Sequence, residues 1–136
     1  MNNSLFRNLW WIRDPANPVL PPGANDFDCG CCMNPWVLRV NDEYRLYYAG
    51  ADANGHRNIC LATAPANAPT QWTRRGIVLS RGSEEGAFDH NWAVLPHVVR
   101  FPDRWHLYYT GNCGHGAGLS AFPGIGLAFS EDGVSW

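Results

Sequence analysis

The chain has no run of lysine or arginine and no surplus of either sign: ten basic and twelve acidic residues leave a formal net charge of -2 and a pI near 6.2. It therefore lacks the basic footprint that phosphate backbones or anionic lipid surfaces require, and neither nucleic acid nor a membrane is expected as a partner. No stretch approaches the roughly 18 consecutive apolar residues of a membrane span. The opening MNNSLFRNLWWIRDP has no basic segment followed by an unbroken apolar run of roughly 7–15 residues, so a secretory signal is not expected either. Also missing is any segment with the i, i+3, i+4, i+7 apolar spacing of a long helix. The cysteines are five (Cys29, Cys31, Cys32, Cys60 and Cys113), an odd number. Without a secretory signal this favours free thiols over a disulfide framework, and the expected location is the cytoplasm.

What remains is an ordinary globular composition, 46% hydrophobic and 16% charged over 136 residues, with an unusual seven tryptophans. It also repeats itself. EYRLYYAG at 43–50 returns as RWHLYYTG at 104–111, and at that offset of 61 the match extends backwards to FDCGCCMNPWVLRVNDEYRLYYAG (27–50) against FDHNWAVLPHVVRFPDRWHLYYTG (88–111). Ten of the 24 positions are identical, where composition alone predicts about one or two, so this is an internal repeat. Trp11 and Trp72 keep the same spacing, and NPVLPPG and GIVLSRG keep it within two residues.

Each unit reads as strand after strand. Pro35–Val40 and Pro96–Phe101 are short Val- and Leu-rich runs; Glu43–Ala49 and Arg104–Thr110 are aromatic and apolar; Asn58–Ala64 and Gly124–Ser130 follow, and Trp72–Leu79 is a fourth strand. Asn41-Asp42 and Pro102-Asp103 supply the tight turns. In Tyr44-Arg45-Leu46-Tyr47-Tyr48 bulky groups point both ways, which suits a sheet packed between two others. Four antiparallel strands per unit, repeated at this period with aromatic markers, predict an all-β propeller, with residues 1–26 as a leading segment, 27–80 as a first blade and 88–136 as an incomplete second. A propeller takes roughly four to eight blades, so the chain is expected to be a fragment, with unpaired blade edges offering a surface for self-association. A complete two-sheet sandwich is the alternative.

NPVLPPG, the two FD…P-x-V-[LV]-R stretches, the LYY[AT]G strands, IGLAFSEDGVSW and W-x-R-x-G-x-V-L together resemble the five-bladed propeller glycoside hydrolases, the arabinanase and xylosidase type of family 43 and the invertase type of family 32. The resemblance covers nearly the whole chain but only the first two blades of five. It implies hydrolysis of a glycosidic bond in an oligosaccharide, with a sugar as partner; no cofactor and no metal are expected. A non-catalytic carbohydrate-binding propeller and a glycoside phosphorylase remain the alternatives. SEDGVSW (130–136) also resembles the Asp-box of sialidase-type propellers, which makes Asp132-Gly133 a turn and Trp136 a packing residue.

Glycoside cleavage takes two carboxyls, roughly 5–5.5 Å apart for retention or 6.5–9.5 Å for inversion. Equivalent positions on neighbouring innermost strands converge on one mouth of a propeller. Asp28 and Asp89 are equivalent by the repeat, each seven residues before the proline of its first strand. The resemblance implies a base or nucleophile role for Asp28 and pKa tuning and sugar holding for Asp89. The competing reading makes Phe-Asp a turn cap that every blade uses. The family commonly places Asp directly before that proline, where this chain has Asn34 and Leu95. Asn34, Trp36, His90, Trp92 and His97 are the candidate sugar-binding residues: the two indoles offer apolar faces for a pyranose, the imidazoles and the amide hydrogen bonds. Asp14, in RDPANPVL, is a weaker candidate, which its alignment with TRRGIVL places away from the channel. The general acid of such enzymes is a later Glu; Glu43, Glu84, Glu85 and Glu131 all fall in turns or outer strands, so these 136 residues alone are expected to be inactive. Cys29-x-Cys31-Cys32 with Cys113-Gly-His115 lacks the paired spacing of a structural zinc site. The 114–118 loop GHGAG is too irregular to cradle a phosphate.

Overall fold

The computed structural model describes residues 12–24, 26–114, 121–122 and 124–136. Seven strands run in chain order: β1 (Cys31–Val40), β2 (Glu43–Ala51), β3 (Arg57–Pro65), β4 (Thr73–Leu79), β5 (Trp92–Arg100), β6 (Trp105–Asn112) and β7 (Gly124–Ser130). Among the described residues there is no α-helix, and the chain is all-β. β1 to β4 form one antiparallel meander and β5 to β7 a second. A single parallel bridge, Arg57 to Trp92, joins the two units into one seven-stranded sheet.

The first strand of each unit starts earlier than its proline suggests. A proline has no N–H for the ladder, which makes it a natural strand opener. Here β1 begins at Cys31 and β5 at Trp92, and each proline lies inside its strand at a bulge. Met33 pairs with Ala49 and Trp36 with Tyr47, so Asn34 and Pro35 together oppose Tyr48. Val94 pairs with Thr110 and His97 with Tyr108, so Leu95 and Pro96 oppose Tyr109 in the same way. A bulge removes the need for the missing donor and kinks the strand. Its first residue takes a left-handed backbone in both units, φ 54° at Asn34 and 56° at Leu95.

Burial follows the repeat. Tyr47, Ile59 and Leu61 of the first unit meet Ala93, Val98, Trp105, Leu107 and Tyr109 of the second. On the opposite face of β2 and β3, Leu46, Tyr48, Cys60 and Ala62 pack under Leu20, Phe27, Cys32 and Trp72. The middle of the first unit is thus buried on both sides, which accounts for its lack of polar alternation. Each such Leu or aromatic side chain contributes roughly 1.5–3 kcal/mol by leaving water. The repeat shows which face is which. Leu107 and Tyr109 are the counterparts of Leu46 and Tyr48, whereas Tyr108, the counterpart of fully buried Tyr47, is 38% exposed. The outer face of the second unit continues with exposed Ile125, Leu127 and Phe129.

The turn after β7 locks the units together. Asp132 accepts hydrogen bonds from the amides of Val134 and Ser135 and from the Ser130 hydroxyl, and Gly133 turns the chain with φ 73°. Tyr47 then donates to the Gly133 carbonyl at 2.6 Å and Arg45 to the Asp132 carbonyl at 2.7 Å. Trp136 meets Tyr47 edge-on, with centroids 6.3 Å apart.

Candidate functional site

The repeated Phe-Asp is a turn that crosses the end of the second strand. In the first unit it passes over Gly50: a Cβ there would lie 2.8 Å from the Phe27 carbonyl and 2.8 Å from Cys60 Sγ. In the second it passes over Gly111, where a Cβ would run into the Phe88 ring. This close passage is why LYY[AT]G ends in glycine in both units.

The crossing buries the aspartates. Asp28 is fully buried, and its Oδ2 accepts from Tyr48 Oη at 2.8 Å and from Arg74 Nε on β4 at 2.5 Å, with Cys32 Sγ at 3.8 Å. Asp89, 7% exposed, accepts from Tyr109 Oη at 2.9 Å. Each Asp is thus held by the tyrosine that faces the bulge of the same unit. Burial, reinforced by the neighbouring carboxylate, pushes Tyr48 and Tyr109 well above the ordinary phenol range, so both remain donors. Burial likewise raises the Cys32 thiol, helped by the charge of Asp28, and pushes Cys60 up to about 12. A raised thiol carries little thiolate near neutral pH, which fits a packing role. The two carboxylates each bond within their own unit and neither lines the cavities described below. Asp28 Oδ1 is buried without a partner among the described residues.

Other candidates do converge. Asn34 and Leu95, the twin bulge residues, line one cavity of about 270 Å³ with Arg57, Trp92, Phe122, Met33 and Val94. Trp92 is fixed there by donating from Nε1 to the Gly55 carbonyl at 2.9 Å, and Arg57 lies 3.9 Å over its ring. Beside it, across the Gly55–Arg57 and Asn91–Trp92 segments, a polar cavity of about 420 Å³ is lined by His56, Ser83, Glu85, His90, Asn91, Cys113 and Gly114. The His90 Nδ1 is buried without a hydrogen-bond partner among the described residues. Asp52 holds the His56 of this lining, accepting from the amides of Asn54 and His56 and from the His56 ring at 3.2 Å. Slight burial works against the Asp52 carboxylate, yet these bonds hold it below the usual range.

Trp36 and His97 meet each other and stand apart from that pair of cavities. Their rings stack with centroids 3.8 Å apart, and Trp36 Nε1 donates to the Val98 carbonyl at 3.0 Å, tying β1 to β5. His97 lines a separate depression with Leu95, Tyr108, Tyr109, Thr110 and Ile125. Asp14 is exposed and accepts from the Ala16 amide. Cys29 and Cys32 contact separate carbonyls, of Asp26 and Pro21, and among the described residues no three His, Cys, Asp or Glu side chains converge as metal ligands. His115 and Trp11 lie outside the described residues. Sequence reasoning missed Arg57 and Phe122. Arg57 carried one signal, its place immediately before the expected third strand Asn58–Ala64, but nothing in the pattern says that this residue is the bridge between the units.

No family model matches the chain. It is 29% identical over 130 residues to two Mycobacterium tuberculosis proteins, uncharacterized protein MT1551 (strain CDC 1551 / Oshkosh) and uncharacterized protein Rv1502 (strain ATCC 25618 / H37Rv). The match covers 90% of this chain and 42% of each relative, so the chain spans less than half of their length. Among solved structures it is similar to a glycoside hydrolase, with a TM-score of 0.65 and 20% identity over 88% of this chain and 32% of that one. It is similar also to the BT0996 protein of a BT0996–RGII complex, with a TM-score of 0.61 and 18% identity over 88% and 31%. At these identities the likeness is one of fold: this chain shares a glycoside-hydrolase-like all-β fold.

Proposed function

We propose that the chain is part of a β-propeller of the five-bladed glycoside hydrolase kind, that its two units are neighbouring blades, and that its described residues bind an oligosaccharide instead of cleaving it. The observation that carries this reading is the pair of equivalent bulges, which bring Asn34 and Leu95, neither of them a carboxyl, into one cavity with Trp92 and Arg57. A pyranose stacks its apolar face on an indole and hydrogen-bonds through its rim. Asn34, Arg57 and, in the adjoining cavity, His90 and Asn91 offer such bonds. In this reading Asp28 and Asp89 are anchors of the blade turns. Parent proteins of this kind hydrolyse glycosidic bonds; the phosphorylase variant of the chemistry would show strict dependence on inorganic phosphate.

A second reading keeps Asp28 and Asp89 as the catalytic pair, and what favours it is Asp28 Oδ1, buried without a partner. Oligosaccharide binding by calorimetry, together with turnover of aryl glycosides, separates the two. Binding without turnover, weakened at least tenfold by Trp92→Ala and little by Asp28→Asn, is the expected result. Turnover that Asp28→Asn reduces by orders of magnitude at unchanged stability overturns it in favour of catalysis.

A further inference from the structure

Arg57 is the least explained charge in the molecule. It lies on β3 at the bridge to Trp92, its guanidinium 3.9 Å over that indole, and it lines the cavity with Asn34, Leu95 and Phe122. Its Nη1 is 3.4 Å from the Gly55 carbonyl, a weak bond, and its Nε is buried with no partner among the described residues. Every other buried or half-buried arginine beside an acid is engaged: Arg74 with Asp28 and Arg45 with Glu43. Among the described residues no carboxylate lies within ion-pairing distance of Arg57. Asp52 is occupied by His56, and Glu85 lines the neighbouring cavity.

A guanidinium is a rigid, permanently charged fork, matched to the oxygens of a planar oxyanion. Resting on an indole face and flanked by leucine and phenylalanine, it is partly cut off from water, and a buried donor without an acceptor is unfavourable. An incoming oxyanion relieves this, and the indole face that the guanidinium leaves uncovered offers a stacking surface for the ring that carries it. His90 Nδ1, likewise buried and unpartnered, lies just across Asn91.

We propose that Arg57 is an oxyanion-binding residue and that the ligand of this cavity is an acidic saccharide, its ring on Trp92 and its carboxylate on Arg57. The proposal rests on the sugar-binding reading above and narrows it to a substrate class. The same chemistry admits a free inorganic phosphate, which the experiment separates from the sugar.

The test is calorimetric titration of the chain with galacturonate, galactose and inorganic phosphate, at low and high sodium chloride, for the unchanged protein and for Arg57→Met and Arg57→Lys. The expected result is galacturonate at least tenfold tighter than galactose, a preference that shrinks severalfold in high salt, falls at least tenfold in Arg57→Met and is partly kept in Arg57→Lys. The salt series on the unchanged protein holds the proposal to account even if Arg57→Met fails to fold. Equal affinity for galacturonate and galactose, or a preference untouched by Arg57→Met, overturns the proposal and leaves the sugar-binding reading standing. Phosphate binding lost in Arg57→Met, with neither sugar bound, supports the oxyanion site and overturns the sugar reading. No binding of any of the three overturns both.

Discussion

Replacing Asp28 by Ala distinguishes an anchoring carboxylate from a catalytic one. Asp28 is fully buried, Tyr48 is 1% exposed, and the Arg74 side chain is 22% exposed, so removal of the carboxylate strands a buried phenol and leaves a partly exposed guanidinium, still bonded to the Pro21 carbonyl, without its acid. Breaking a buried charged pair from one side costs about 3–5 kcal/mol. Tyr48→Phe deletes only one bond to the charge and should cost about 1.5–3 kcal/mol. Asp28→Asn keeps an acceptor for Tyr48 while losing the charge, and falls between the two. The repeat supplies an internal control. Asp89 has Tyr109 as its side-chain donor and, among the described residues, no arginine partner, so Asp89→Ala should cost less, about 1–3 kcal/mol. Urea unfolding followed by tryptophan fluorescence measures all four. With a slope of about 1–3 kcal/mol per molar urea, Asp28→Ala moves the midpoint down by roughly 2 M, a large part of the stability of a small domain. A cycle of Asp28→Asn with Tyr48→Phe should reveal a coupling of about 0.5–3 kcal/mol. If Asp28→Ala unfolds within about 0.5 kcal/mol of the unchanged protein, the carboxylate is no anchor and the reasoning is refuted.

Other outcomes follow from the same geometry. Gly111→Ala drives a methyl into the Phe88 ring and should destabilise by about 1–3 kcal/mol, read from thermal unfolding. Leu95→Gly should do the opposite: the side chain is 51% exposed and its backbone is left-handed, so relief of about 1–2 kcal/mol outweighs the packing that the leucine provides. A lowered melting temperature in that variant contradicts the strain argument. Asp132 is held far below the ordinary carboxylate range, chiefly by the Ser135 and Val134 amides. A depressed folded pKa contributes stability above the unfolded value of about 3.9 that is lost as pH falls through and below it. Urea midpoints should therefore drop between pH 5 and pH 2, and less steeply in Asp132→Asn; equal slopes for the two proteins would remove Asp132 from the account.

Much of the fold is legible because a strand repeat is a local signal. The 61-residue echo, the Asn41-Asp42 and Pro102-Asp103 turns and the two-sided hydrophobicity of Tyr44–Tyr48 each depend on neighbours in sequence, and they are enough to specify seven strands. The bulges were less visible, since proline signals a break in the ladder without saying whether the strand ends there or kinks past it. Phe-Asp illustrates the limit for the site. Its repetition is plain, but whether the carboxylate faces a cavity or a tyrosine depends on how tightly the turn crosses Gly50 and Gly111, and that is a matter of three-dimensional packing.

The sequence by itself determined the modular all-β character, because alternation, turn residues and repetition act over a few residues at a time. Only the tertiary structure decided which polar groups are satisfied. Tyr48 and Tyr109 close off the two aspartates at twenty residues' separation, and Arg57 meets Trp92 across the bridge between units without meeting an acid among the described residues. Charge pairing depends on distances of a few ångströms between distant parts of the chain, and no local pattern of residues encodes them.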